Sequence, residues 1–280
     1  MRPGFSSAVR ALLILTVLVV LFSSVAEAKK RSRKSGSYRV GADAAILLDV
    51  RNSHRYYGRD IHQKILPAST LKLMVALFVL EKKKLDDVVV VSNKASQALP
   101  SKVYLRPGEK FRVRELLYAL LLNSANDVAI ALAESVAGSE KKFVEMMNRR
   151  AHQLGAKNTL FANSHGLPSV APQHTTISDM VLIFRAAWKK PFIREALKIK
   201  TMTIRSVNGR SIALKSHNKA LFLGWKGNIY GKTGYTKAAK ACFIGQIEKD
   251  GKALIVGVFG SGTRWDDVKH LVEHYGGIDL

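Results

Sequence analysis

A serine and a lysine three residues apart, Ser69 and Lys72, could together perform nucleophilic chemistry. On a helix, residues at this spacing share one face, so the lysine amine can reach the serine hydroxyl. A serine hydroxyl becomes a good nucleophile when an adjacent base takes its proton, and lysine acts as that base only when it is neutral. Burial and a second cation would both lower the lysine pKa. The pair therefore indicates acyl transfer, although the same spacing recurs at two other places in the chain.

Two further motifs supply polar groups that such a reaction needs. Ser124 and Asn126 lie between two predicted helices, where the serine can pass a proton and the amide can bind a substrate amide. Helix capping is the alternative role of these two residues. Lys232, Thr233 and Gly234 occur as a triplet once, at the start of a late predicted strand. The lysine and threonine can bind an anionic group, and the glycine lets a substrate backbone approach closely. A plain basic strand edge is the alternative.

The order of the three motifs is more specific than any one of them. Ser-x-x-Lys, Ser-x-Asn and Lys-Thr-Gly follow one another in the context found in penicillin-binding proteins and class A β-lactamases. The chain most resembles the low-molecular-mass penicillin-binding proteins, the serine-type D-alanyl-D-alanine carboxypeptidase family. Segments 155–159, 165–167, 174–179 and 232–236 also resemble family sequences, so that the similarity covers about residues 40–275.

This resemblance implies catalytic roles for four residues. Ser69 would be the nucleophile and Lys72 its general base, while Ser124 and Asn126 would assist proton transfer and orient the peptide. The implied reaction removes the terminal D-Ala of peptidoglycan stem peptides through an acyl-enzyme on Ser69, and penicillins would acylate the same serine.

The resemblance also implies a substrate-binding set on the late strand and beyond it. Lys232 and Thr233 would bind the terminal carboxylate, beside Gly234, and the backbone N–H of Tyr235 would share an oxyanion hole with that of the nucleophile. Arg264 would lie near the substrate carboxylate, with a surface ion pair as the alternative. The chain departs from the family after this motif, where Ala-Ala-Lys stands at 238–240 in place of the usual Ala-Gly, which leaves the path of the strand open.

Other functions remain as alternatives. A D,D-endopeptidase that cuts peptidoglycan cross-links would use the same residues. A β-lactamase is disfavoured because the sequence has no Glu-x-x-Leu-Asn segment to supply the deacylating glutamate. A non-catalytic module that binds anionic polymers is supported by charge alone.

The His270–Glu273–His274 pattern matches an inverted zinc-protease motif, but only six residues follow it. Such a site would need a third ligand, so we expect an ordinary terminal helix there and neither a metal nor a cofactor.

The predicted elements place strands at both ends of the chain and helices between them. Strands are expected at 44–50 and from 56 to 67, then helices at 69–84, 113–122, 127–136, 140–154 and 177–188. Hairpins are expected at 201–215 and 241–259, and a last helix at 265–275. This pattern predicts an α+β fold in which helices flank an antiparallel sheet and form an inserted helical subdomain, similar to β-lactamases and transpeptidases.

Composition and charge bear on stability and partners. The chain has 280 residues, of which 47% are hydrophobic, and a single cysteine, so that it can fill a core and needs no internal disulfide. Its net charge of +24 predicts attraction to anionic wall polymers or a membrane surface. A nucleic-acid partner is not expected, because the basic run at 29–34 directly follows an apolar segment.

That apolar segment predicts export. Two arginines precede the apolar run 11–22, and Ala26 and Ala28 are small residues at a signal-peptidase site. We predict a signal peptide at 1–28, a flexible basic leader at 29–38 and a penicillin-binding catalytic domain at 39–280. The run is too short to span a bilayer. Some relatives continue into a further domain and an anchor, whereas this sequence stops soon after its last helix. We therefore expect a periplasmic or outer-envelope location without a membrane-spanning segment after cleavage.

Overall fold

An antiparallel sheet brings the two ends of the described chain together. The structure is a computed structural model and describes residues 38–280. The sheet has the order β2-β1-β9-β8-β7, formed by β1 (Ala44–Asp49), β2 (Arg55–Arg59), β7 (Ile229–Thr236), β8 (Lys240–Lys249) and β9 (Lys252–Ser261). All four neighbouring pairs are antiparallel. The predicted α+β class, with a sheet built from both ends of the chain, is confirmed.

The sheet is apolar on both faces because its strands alternate their side chains between two cores. In β1, Ala44, Ile46 and Leu48 belong to a large core that they share with the inserted helices. Ala45 and Leu47 belong to a second, smaller core on the opposite face, which also contains residues of the last helix. The sheet is therefore covered by helices on both sides, and the strand that carries the Lys-Thr-Gly motif is held rigidly.

Helices and two small strand pairs fill the chain between β2 and β7. The helices are α1 (Lys72–Lys82), α2 (Asn93–Ser96), α3 (Val113–Leu122), α4 (Asn126–Ala137), α5 (Glu140–Gln153), α6 (Ile177–Trp188) and α7 (Pro191–Ala196). The strands β3 (Val88–Val90) and β4 (Lys110–Arg112) form one pair, and β5 (Thr201–Arg205) and β6 (Ser211–Lys215) form another. A short 3₁₀ turn, Lys219–Phe222, leads toward β7, and α8 (Arg264–His270) follows β9.

Local sequence explains why the long helices were predictable. α3 and α6 begin and end at the predicted residues. Thr176 caps α6 by accepting a hydrogen bond from the Asp179 N–H, and Ser139 caps α5 in the same way from the Lys142 N–H.

Several predicted boundaries were wrong. β2 ends at Arg59 rather than at residue 67, because Asp60 adopts a positive φ of 47° and turns the chain. The predicted helix from 69 begins as a 3₁₀ turn, Ala68–Leu71, before α1. Lys232 lies in the middle of β7 rather than at the start of a strand. β7 ends at Thr236, and the two alanines of the unusual Ala-Ala-Lys stretch lie in the turn, while its lysine begins β8.

The last helix also differs from its prediction. It starts at Arg264 and changes from α8 into a π-helical turn over Leu271–Tyr275. The imidazole rings of His270 and His274 stack with their centroids 4.9 Å apart.

The predicted signal peptide and nearly all of the basic leader lie outside the described residues. Within residues 38–280, no helix combines the length and the apolar character that crossing a bilayer requires. Val40–Leu280 forms one compact unit.

Candidate active site

Ser69 lies on the 3₁₀ turn that opens α1. In a 3₁₀ turn residues i and i+3 are eclipsed, so this conformation stacks Ser69 directly on Lys72. The turn is entered through Ala68, whose φ of 45° is unusual for a residue with a side chain. The hydroxyl of Thr70 donates back to the Pro67 carbonyl at 2.5 Å and closes the turn. Ser69 itself stays partly exposed and lines an open cleft.

Lys72 is fully buried beneath this serine. Its Nζ lies 2.8 Å from Ser69 Oγ, and it donates to Asn126 Oδ1 at 2.8 Å and to the His165 carbonyl at 2.6 Å. Burial, followed by repulsion from Lys232, holds the lysine pKa well below its usual value. The carboxylate of Asp127 acts in the opposite direction but does not outweigh these two effects.

The two pure acceptors around Lys72 determine how its neutral form would be oriented. A neutral amine has two N–H groups and one lone pair. The Asn126 and His165 oxygens can only accept, so they take both N–H groups. The lone pair is then left for Ser69, whose hydroxyl is able to donate. The arrangement therefore suits the amine to act as a base toward Ser69.

Ser124 and Asn126 reach the same site from the link between α3 and α4. Ser124 has a φ of 58°, which turns the chain sharply between the two helices. The Asn126 amide is fixed by donating from Nδ2 to the Leu99 carbonyl at 2.9 Å, so that its oxygen faces Lys72. The Ser124 hydroxyl oxygen accepts a hydrogen bond from Lys232 at 2.9 Å, which joins the second motif to the third.

Lys232 is a second buried cation, 1% exposed on β7. Besides Ser124, its Nζ donates to the Thr233 carbonyl at 3.1 Å. Burial, then repulsion from Arg264, lowers its pKa to about 7. An amine with this pKa changes charge near neutrality and gains strongly from an anionic partner.

Gly234 and Tyr235 continue β7 past the nucleophile. A Cβ at Gly234 would lie 3.0 Å from the Ser69 backbone nitrogen, a tight contact that glycine avoids where the strand passes the turn. Tyr235 is 69% exposed at the cleft. Arg264 donates from Nη1 to the Gly234 carbonyl at 3.1 Å and to the Cys242 carbonyl at 3.0 Å, and its guanidinium stacks on Trp265. These contacts place it in the cleft wall and not in a surface ion pair.

The three motifs surround one cleft of about 820 Å³. Ser69, Ser124, Asn126, Thr233, Gly234, Tyr235 and Arg264 all line it, and Lys72 and Lys232 are bonded to residues in that lining. Among residues 38–280, no aspartate or glutamate lines the cleft. Its fixed charges are therefore positive, which favours an anionic ligand.

The sequence marked the loop behind Lys72 only as a segment, 165–167, that resembles family sequences, and gave it no role. The carbonyl of His165 faces the lysine, and Gly166 follows with a φ of 88°. A Cβ on Gly166 would lie 2.0 Å from the Ala68 carbonyl oxygen. Glu140 holds the loop by accepting from both the backbone N–H and the hydroxyl of Ser164. A backbone carbonyl has no signature in residue type, so the resemblance of segment 165–167 and its required glycine were the available clues.

His217 is a further lining residue without a predicted role. Partial burial, together with the charges of Lys232, Lys72 and Arg264, lowers its pKa to about 4, so that the imidazole is neutral at pH 7. In the described part of the chain, no group of three or more His, Cys, Asp or Glu side chains is arranged to hold a metal ion.

Comparisons with known proteins point to one family. A family model described as D-alanyl-D-alanine carboxypeptidase matches residues 28–263. The chain is 30% identical to the D-alanyl-D-alanine carboxypeptidase DacF of Bacillus subtilis over 90% of its own length and 65% of that protein's. It is 32% identical to DacB2 of Mycobacterium tuberculosis over 83% of its own length and 81% of the relative's.

Solved structures show the same similarity. A D-alanyl-D-alanine carboxypeptidase from Mycobacterium tuberculosis superposes with a TM-score of 0.79 at 31% identity, covering 88% of this chain and 96% of the other. The DD-transpeptidase of Streptomyces K15 superposes with a TM-score of 0.79 at 27% identity, covering 86% of this chain and 99% of the other.

Proposed function

The chain belongs to the D-alanyl-D-alanine carboxypeptidase family of serine hydrolases, and from this we propose that it removes the terminal D-Ala of peptidoglycan stem peptides through an acyl-enzyme on Ser69. The observation that carries the proposal is the 2.8 Å contact between Ser69 Oγ and a lysine nitrogen whose pKa is lowered by burial and by Lys232.

The proposed reaction begins with proton transfer from Ser69 to neutral Lys72 as Oγ attacks the carbonyl between the two D-Ala residues. The N–H groups of Ser69 and Tyr235 stabilise the resulting oxyanion. Protonated Lys72 remains solvated by its two carbonyl-type acceptors, Asn126 and His165, so the new charge is not left unpaired.

The leaving D-Ala needs a proton on its nitrogen. Ser124 is suited to deliver it, because its oxygen accepts from Lys232 and its own proton is free to point into the cleft. As that proton passes to the nitrogen, the proton on Lys72 replaces it, so that Ser124 is a hydroxyl again and Lys72 is neutral for the attack of water. The substrate carboxylate binds to Lys232 and Thr233, with Arg264 beside them in the wall. Water then releases the acylated Ser69. β-Lactams mimic the same carbonyl and carboxylate, and we propose that they acylate Ser69.

Labelled penicillin tests the nucleophile. The wild-type protein is expected to bind one label per chain, and Ser69→Ala to bind none. Ser211→Ala removes an exposed hydroxyl of β6 outside the cleft lining and is the matched control, which should bind the label as the wild type does. Labelling that persists in Ser69→Ala would refute the assignment.

The products identify the reaction. Purified muropeptides incubated with the protein are expected to release free D-Ala, and the release should stop in Ser69→Ala. Uncross-linked peptides without free D-Ala would instead indicate a D,D-endopeptidase. Rapid hydrolysis of penicillin would indicate a β-lactamase.

We further propose that the protein acts outside the cytoplasmic membrane, after cleavage of the predicted signal peptide behind Ala28. The apolar run 11–22 and the small residues before the cleavage site support this. The mass of the N-terminal peptide of the exported protein, which should begin at Lys29, tests this proposal. The high net charge of +24 supports additional attraction to the anionic wall, which should weaken at high salt.

A further inference from the structure

One wall of the cleft carries two lysines that the proposed reaction does not use. Lys215 ends β6 and Lys219 begins the following 3₁₀ turn, and both line the cleft. Both residues are exposed, and neither forms an ion pair with a carboxylate in the part of the chain that the structure describes. Their charges are therefore available to a ligand.

This wall is fixed rather than loosely attached. The His217 N–H donates to the Leu122 carbonyl at 3.0 Å, and the Asn218 side chain donates to the Ile229 carbonyl at 2.7 Å. The Lys215 N–H donates to Asn123 Oδ1 at 3.0 Å. The segment 215–219 is thus hydrogen-bonded to the end of α3, just before the second motif, and to β7, which carries the third.

An aromatic ring supports one of the two ammonium groups. Lys215 Nζ lies 5.3 Å from the centroid of the Phe222 ring, and Phe222 also lines the cleft. A cation–π contact of this kind restrains a long side chain without neutralising it. The ammonium group of Lys215 and the ring of Phe222 thus lie side by side in the cleft wall. This pair suits a ligand with a carboxylate for the ammonium group and a short aliphatic chain for the ring.

The volume of the cleft leaves room for such a group. About 820 Å³ is enough for a ligand of drug size, which is larger than a D-Ala-D-Ala dipeptide. The terminal carboxylate is already provided for by Lys232, Thr233 and Arg264. Lys215 and Lys219 lie on β6 and the turn after it, outside β7 and α8, which carry that set, so that their charges are available to another part of a bound peptide.

We infer that Lys215 and Lys219, with Phe222, form a second anion subsite that selects stem peptides whose residue immediately before the D-Ala pair carries a free side-chain carboxylate. This inference rests on the proposed function. It names the substrate class that the site prefers, in contrast to peptides with a neutral or cationic side chain at that residue.

Three peptides of equal length test the subsite, with glutamate, glutamine or lysine before D-Ala-D-Ala. Dissociation constants are measured by calorimetry on Ser69→Ala protein, and kcat/KM for D-Ala release on the otherwise unmodified protein. We expect the glutamate peptide to have a dissociation constant about tenfold lower, and a kcat/KM about tenfold higher, than the lysine peptide, which is the size that two exposed charge pairs supply. The preference should shrink as salt is added.

The double variant Lys215→Gln/Lys219→Gln should lose this preference while still releasing D-Ala. Its matched control, Lys141→Gln/Lys142→Gln, removes the same charge from exposed residues of α5 and should keep the preference. Equal binding of the three peptides, or a preference that survives in the double variant, overturns the subsite. Absence of D-Ala release from every peptide contradicts the proposed function instead, and the binding series then still decides on the subsite.

Discussion

Lys232 should impose a cost on folding that its removal reveals. The side chain is 1% exposed, and burial followed by repulsion from Arg264 lowers its pKa from 10.5 to about 7. In the unfolded chain the amine is hydrated and its ordinary pKa returns. We predict that Lys232→Met, which keeps the length of the side chain but removes its charge, abolishes activity and stabilises the fold near neutral pH.

The size and direction of the effect follow from this pKa difference. Below pH 7 the lysine is protonated in both states, and the folded state bears the full penalty. Between pH 7 and pH 10.5 the folded lysine is neutral while the unfolded one still binds a proton, so the stability of the wild type rises with pH. Each pKa unit corresponds to about 1.4 kcal/mol. Because the folded lysine is already half titrated at pH 7 and the unfolded lysine is still half protonated at pH 10.5, the rise in stability across this interval is about 4 kcal/mol.

The variant lacks this titration, so its advantage over the wild type should be largest at pH 7 and should fade by that amount toward pH 10.5. The lost hydrogen bonds to Ser124 and Thr233 add an offset that varies little with pH, and the pH slope therefore isolates the charge. Removing Lys232 also relieves the repulsion on Lys72, which acts in the same direction.

Urea unfolding at a series of pH values measures the two free energies of unfolding. Lys141→Met removes an exposed lysine and serves as the control, for which the difference from the wild type should be flat. A difference between Lys232→Met and the wild type that stays constant within about 1 kcal/mol over the interval would refute the lowered pKa, and with it the electrostatic account of the site.

Three further predictions address the pH profile and the loop behind the base. In Lys232→Arg the cation keeps its proton, so the decline of kcat/KM for D-Ala release above about pH 7 should move to higher pH; an unmoved decline would assign it to another group. Asp127→Asn removes a charge that raises the pKa of Lys72, so the acid limb of penicillin acylation should shift to lower pH. The same variant should lose about 1–3 kcal/mol of stability in urea unfolding, because buried N–H groups lose a carboxylate acceptor. Gly166→Ala forces a Cβ to 2.0 Å from a carbonyl oxygen and should abolish penicillin labelling. Its control is Gly138→Ala, which is also at positive φ but has open space around it. The control should cost only about 1 kcal/mol in thermal unfolding and leave labelling intact.

The fold was predictable where the sequence encodes it locally. α3 and α6 have strong apolar periodicity, and their observed ends equal the predicted ones. The strands Val88–Val90 and Lys110–Arg112 were missed because each has three residues and is stable only through its pairing with the other, a contact that no local pattern records.

The site was predictable as a set of side chains but not as a geometry. Motif order identified Ser69, Lys72 and Lys232, while the 3₁₀ conformation that aligns Ser69 with Lys72 depends on the strained entry at Ala68 and on the loop packed behind it. The His165 carbonyl, which fixes the direction of the lysine lone pair, could not be predicted, because every residue has a carbonyl and only the fold selects one.

The cations of the site form a series in which each one lowers the pKa of the next. Arg264 lowers the pKa of Lys232, and Lys232 lowers that of Lys72, which contacts Ser69. Asp127 offsets part of the effect on Lys72, but the lining of the cleft within residues 38–280 has no carboxylate, so an anionic partner for Lys232 inside the cleft would come from the ligand. In the proposed reaction a substrate carboxylate at Lys232 offsets the repulsion on Lys72 at the moment when Lys72 must take the proton of Ser69. The group that recognises the peptide terminus thereby strengthens the base, and a substrate without that carboxylate would lose rate as well as affinity.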